Sequence, residues 1–131
     1  MSAGRGPSRA RRPPSRSPHT GRGEPVELVI DGGIAWMTLA RPDARNRLDA
    51  ELQGALVQAC ATVENTDAVR TVVLGARGPA FSAGLPRGCA WPAPAWPDAV
   101  QAVAGLTRPV VAALQGDALG WGLALALACD L

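Results

Sequence analysis

Two short runs of branched and apolar residues, Val26 to Ile30 and Ile34 to Leu39, flank Asp31-Gly32-Gly33, and this pattern predicts a β-hairpin. Pro42 ends the second run, and Asp49 is placed to cap a helix with Glu51 in its first turn. Leu52, Leu56, Ala59 or Cys60, and Val63 recur every three to four residues, the stripe of a helix with one buried face. Val69 to Leu74 is continuous and branched, which predicts a strand buried on both faces. Strand, helix and strand in this order imply a right-handed crossover and a parallel pair. From Gly75 to Pro97 the prolines at 79, 86, 92, 94 and 97 predict an irregular loop. Asp98 can cap a short helix through Val100, Val103 and Leu106 that Pro109 forces to end. Val110 to Leu114 reads as a further strand, Gly116 to Gly122 as a glycine-rich turn, and the closing segment as a helix.

Composition divides the chain. Its 131 residues allow one domain, with 47% apolar residues. Every basic residue is an arginine, and six arginines fall within residues 1–23, where there is no acid. The segment 24–131 then holds seven arginines against eleven acids, a net charge of −4, so the overall +2 comes from the tail. Residues 1–23 are expected to be a disordered Arg/Pro/Ser-rich tail, since their prolines and glycines break the amphipathic helix of a transit peptide. The tail has no aromatic side chain to stack on bases, and no nucleic-acid partner is expected. The three cysteines Cys60, Cys89 and Cys129 have neither disulfide-framework nor zinc-ligand spacing, and no metal is expected. No apolar run long enough to span a bilayer is read, and a cytoplasmic location fits best.

Two small-residue turns follow predicted parallel strands, Ala80 to Gly84 and Gly116 to Gly122. In open α/β sheets ligands bind beyond the carboxyl ends of the strands, so both turns can face one site. Taken singly, each is explained by tight strand-to-helix packing; as a pair they offer backbone donors from two directions, the requirement of an oxyanion hole. The second turn also opens a helix, whose first N–H groups favour an anion or a polarised carbonyl oxygen. Gly116, Gly120 and Gly122 do not spell a dinucleotide fingerprint, and there is no lysine for a phosphate loop. His19 lies in the tail, which argues against a triad built on Ser82.

The segments MTLARPDARNRL (Met37 to Leu48), VVLGARGPAFSAGLP (Val72 to Pro86) and PVVAALQGDALGWGLALALACDL (Pro109 to Leu131) resemble, in order, the signatures of the enoyl-CoA hydratase/isomerase family, the crotonase superfamily. The likeness spans about Val26 to Leu131. It implies an α/β crotonase-like ββα spiral, incomplete at its C-terminus, with residues 24–131 as the N-terminal part of the domain. It also implies an acyl-CoA thioester as ligand, with coenzyme A as part of the substrate and no separate cofactor, and a homotrimer or a dimer of trimers for the full-length protein. By the same resemblance the backbone N–H groups of Leu85 and Trp121 hold the thioester oxygen, where negative charge collects as an enolate forms. Phe81, Ala83 and Gly84, with Gly120 and Gly122, would line the substrate. Trp91 and Trp96 would either border the acyl pocket or serve packing.

The departures are as specific as the matches. Ala124 stands where hydratases of the family carry a glutamate, and the second family glutamate falls beyond Leu131, so hydratase chemistry does not carry over by resemblance. Trp121 replaces the middle glycine of the family turn, and Arg47 and Leu85-Pro86 replace other motif residues. Asp130, the motif aspartate, is expected to support the fold. Two readings stay open: a family enzyme that stabilises an enolate with other residues, and a non-catalytic acyl-CoA-binding or assembly pseudoenzyme. The chain reads as a fragment of a longer protein, and its isolated stability is expected to be poor.

Overall fold

A computed structural model of the protein describes residues 23–89 and 96–131. The expected tail, apart from Gly23, and Trp91 lie outside the described residues. The hairpin forms as read, β1 (Val26–Asp31) running antiparallel to β2 (Ile34–Leu39). A single 3-10 turn (Pro42–Ala44) then leads to α1 (Ala50–Glu64), where the Asp49 carboxylate accepts the Leu52 amide at 2.8 Å as N-cap. The α1 stripe is buried as its spacing requires: Leu52, Leu56, Ala59, Cys60 and Val63 all face the core.

After α1 the chain forms β3 (Thr71–Ala76), parallel to β2, and later β5 (Val110–Ala112), parallel to β3. The four-stranded sheet therefore has the order β1-β2-β3-β5. Core side chains alternate along it: Ala35, Met37 and Leu39 on β2, and Val72 and Leu74 on β3, are buried. The reading of Val69 to Leu74 as a strand buried on both faces is corrected here. The strand begins at Thr71, and only Val72 and Leu74 are fully covered; Val73 is half-buried because it points to the opposite face, beside Trp36.

The segment read as wholly irregular contains β4 (Ala80–Ser82), which pairs in parallel with β6 (Asp117–Ala118) to form a second, two-stranded sheet. Two helices complete the described structure, α2 (Ala99–Ala104) and α3 (Trp121–Leu127). Asp98 caps α2, its Oδ1 accepting the Gln101 amide at 3.0 Å. Phe81 and Leu125 enter the same hydrophobic cluster as α1 and the large sheet, so the second sheet and α3 share one core with the first. Asp130 supports the fold as expected: its Oδ2 accepts the Val110 amide at 2.8 Å, and its own amide donates to the Val110 carbonyl.

Candidate functional site

The small sheet brings the two turns together. Ala80 pairs with Asp117 and Ser82 with Ala118, so the chain leaves both strands in the same direction at the same end. The Leu119 amide donates to the Ser82 carbonyl at 3.0 Å and ties the second turn to the first. The contact is close enough to exclude side chains. Gly84 has φ +95°, and a Cβ there would stand 2.9 Å from the Leu119 carbonyl oxygen and 3.5 Å from the Trp121 nitrogen. A Cβ at Gly122 would collide with the Ser82 carbonyl oxygen.

Residues 45–48 form a backing strip for the first turn. The Ala83 amide donates to the Arg45 carbonyl at 2.9 Å, the Ser82 hydroxyl to the Asn46 carbonyl at 2.8 Å, and the Leu48 amide to the Gly84 carbonyl at 2.8 Å. The Arg47 guanidinium reaches the Leu85 carbonyl at 3.2 Å. Each residue of the strip thus fixes one residue of the turn.

Asn46 anchors the strip. It is fully buried with φ +52°, a left-handed conformation that asparagine tolerates better than most residues. Its Oδ1 accepts the Arg41 amide at 2.8 Å, and its Nδ2 donates to the carbonyls of Arg77 and Ala80, each at 3.0 Å. Sequence reasoning found Asn46 only as a motif residue; the turn-forming run Pro42 to Asn46 was the available signal of its backbone role. Ser82 is equally committed, donating to Asn46 and accepting the Gly84 amide at 3.2 Å while fully buried, which agrees with setting it aside as a nucleophile.

The expected oxyanion donors lie on the two adjoining turns. The Leu85 amide donates to no acceptor among the described residues, and its side chain packs against the core. Trp121 is the first residue of α3 and forces no left-handed backbone; the positive φ of that turn, +54°, falls on Gly120. Among the expected lining residues, Ala83 is half-buried, Gly84 and Gly122 are packed between the turns, and Gly120 is exposed. Phe81 is placed differently from expectation: its ring is wholly buried in the core and forms a floor under the turn rather than a wall of an open cleft.

A cleft of about 430 Å³ opens between α2 and α3, lined by Asp98, Val100, Gln101, Trp121, Ala124 and Leu127 among others. Ala124 therefore faces open space next to Trp121. Trp96 is half-buried and is not part of this lining. A second concavity of about 420 Å³, on the Trp36 face of the large sheet, shares no residue with the first and is lined by Thr38, Val73, Gly75 and Ala113 among others. Among the described residues no group of three potential metal ligands occurs, and no helix is long and apolar enough to cross a membrane.

The two adjoining turns and their backing strip are built from the segments that carry the sequence resemblance, and comparison with known proteins agrees. Residues 29–131 match the family model for enoyl-CoA hydratase/isomerase. The probable enoyl-CoA hydratase EchA14 of Mycobacterium tuberculosis is 36% identical over 117 residues, covering 82% of this chain and 46% of the relative. The (E)-benzylidenesuccinyl-CoA hydratase of Thauera aromatica is 34% identical, with 82% and 45% covered. A solved enoyl-CoA hydratase/carnithine racemase from Magnetospirillum magneticum superposes with a TM-score of 0.75 at 32% identity, with 84% of this chain and 46% of that one covered. The chain thus spans less than half the length of these relatives. With its signature segments in family order and its backbone following that of solved relatives, the chain has the crotonase-like α/β fold and belongs to the enoyl-CoA hydratase/isomerase family.

Proposed function

We propose that this chain binds acyl-CoA thioesters and stabilises an enolate through the backbone N–H groups of Leu85 and Trp121. The observation that carries the reading is the contact of the two turns at Gly84, where the place of a Cβ lies 3.5 Å from the Trp121 nitrogen. Donors fixed in advance on two rigid turns stabilise charge developing on a thioester oxygen without reorganising, which is the larger part of oxyanion catalysis. The relatives support the ligand class, since their names specify CoA thioesters.

Ala124 favours a second reading. It lines the cleft beside Trp121 and cannot transfer a proton, so a binding protein that keeps the shell without the chemistry fits this one position as well. For the full-length protein the proposed assembly is a homotrimer or a dimer of trimers; the exposed Leu119, Leu123 and Leu131 around α3 offer an apolar surface for contact.

The test is titration of the protein with butyryl-CoA, with its thioether analogue lacking the carbonyl, and with free CoA, followed by calorimetry and by carbonyl infrared spectroscopy. The thioester is expected to bind tenfold or more tighter than the thioether, with its carbonyl stretch shifted to lower frequency. Equal affinities, or an unshifted carbonyl, would refute the oxyanion role.

A further inference from the structure

Among the described residues that line the cleft between α2 and α3, Asp98 is the one titratable side chain, and it shares that lining with Trp121 and Ala124. We infer that Asp98 supplies the proton-transferring carboxylate of this site, from the N-cap of α2, where Ala124 leaves α3 without one. The inference rests on the proposed binding of acyl-CoA thioesters.

The position of Asp98 is set by hydrogen bonds that lead back to the first turn. Its Oδ1 accepts the Gln101 amide at 3.0 Å, which fixes the carboxylate at the start of α2. The next residue, Ala99, is wholly buried and donates its amide to Gln53 Oε1 at 3.1 Å. Gln53, a fully buried polar residue on α1, donates its Nε2 to the Leu48 carbonyl at 3.0 Å. Leu48 in turn donates its amide to the Gly84 carbonyl at 2.8 Å. Two buried residues therefore connect the base of α2 to the residue before Leu85. A base and an oxyanion donor that must act on one substrate need such a fixed relation.

The cap uses only part of the group, since an ionised carboxylate offers about four acceptor positions. In the step proposed, a carboxylate oxygen of Asp98 takes a proton from C2 of the bound acyl group. The C–H electron pair moves to the thioester, whose oxygen becomes the enolate oxyanion facing Leu85 and Trp121. Return of the proton to carbon regenerates the carboxylate, so the step needs no other reactant.

Asparagine caps a helix as well as aspartate does but is no base, so Asp98→Asn separates the two roles of this side chain. The experiment incubates the protein, Asp98→Asn and Asp98→Ser with but-3-enoyl-CoA in D2O. Loss of C2 protium is followed by NMR, whether deuterium returns at C2 or at C4, and binding is measured in parallel. The unsubstituted protein is expected to exchange above the solution background. Both variants are expected to bind within about twofold of it and to exchange at least about 100-fold more slowly. Normal exchange in a variant that binds overturns the inference alone, as does binding without exchange in the unsubstituted protein. Failure of the unsubstituted protein to bind overturns the proposed function and this inference with it.

Discussion

The guanidinium of Arg47 donates to the carbonyl of Leu85 at 3.2 Å, so a residue that departs from the family motif holds the peptide unit just beyond a proposed oxyanion donor. Removing it in Arg47→Ala should leave the fold in place at a cost of about 1.5–3 kcal/mol, as for a hydrogen bond from a charged group. Affinity for butyryl-CoA should fall several-fold, because the Leu85 segment loses its outer restraint. Parallel denaturation and calorimetry check both.

Asn46 has more at stake. Asn46→Ala strands the Arg77 carbonyl and the Arg41 amide, leaves the Ala80 carbonyl with Gln115 Nε2 as its side-chain donor, and puts a residue without local side-chain hydrogen bonding at φ +52°. A loss of about 2–4 kcal/mol is expected. Asn46→Gly, which relieves the backbone but not the orphaned groups, should recover only part of it. Urea denaturation of the three proteins orders them.

Acid should weaken the junction between α1 and β5. The Thr107 amide, at 2.9 Å, does most to hold the Glu64 carboxyl below its ordinary range; desolvation opposes it, and the Thr107 hydroxyl and Arg108 add to the lowering. A lowered folded-state value means that the stabilisation is complete above the unfolded value and fades as pH falls through the folded one. Thermal melts between about pH 6 and about pH 3 should therefore fall less steeply for Glu64→Gln than for the unsubstituted protein.

The two core cysteines should resist alkylation. Burial, with smaller contributions from Glu64 and Cys129, pushes the Cys60 thiol up to about 12; burial and Asp130 push Cys129 up to about 11. Thiolate at pH 8 is then scarcer than in an ordinary cysteine by a factor on the order of 10³ for Cys60 and 10² for Cys129. Mass spectrometry after iodoacetamide treatment should find both unmodified in the folded protein and modified in denaturant.

The elements that sequence made legible are those whose cause is local. The α1 stripe and the Asp49 and Asp98 caps follow from residues within a turn or two of one another, and all formed where their spacing required. The small sheet was hidden because β4 and β6 have three and two residues, and their partners lie far apart in sequence. Gln53 falls beside the apolar stripe and carries no signal of its own; only the fold delivers the Leu48 carbonyl and the Ala99 amide to its two ends. Phe81 was misplaced for a related reason, since a motif identifies a residue's neighbours in sequence and not the side of the turn on which its ring packs. The pairing of the Leu85 and Trp121 turns was anticipated from their equivalent places after parallel strands, whereas Asp98 was read only as a cap.

The strip of residues 45–48 carries a consequence for how the molecule assembles. Its contacts to residues 82–85 span more than thirty residues of chain, with all of α1 and β3 between them. The shape of the first turn is thus written in a segment made long before it, and a peptide of the turn alone would not adopt it. The first turn is therefore a product of the tertiary fold: the hairpin, the helix and the parallel pair must all be in place to bring the strip against residues 82–85.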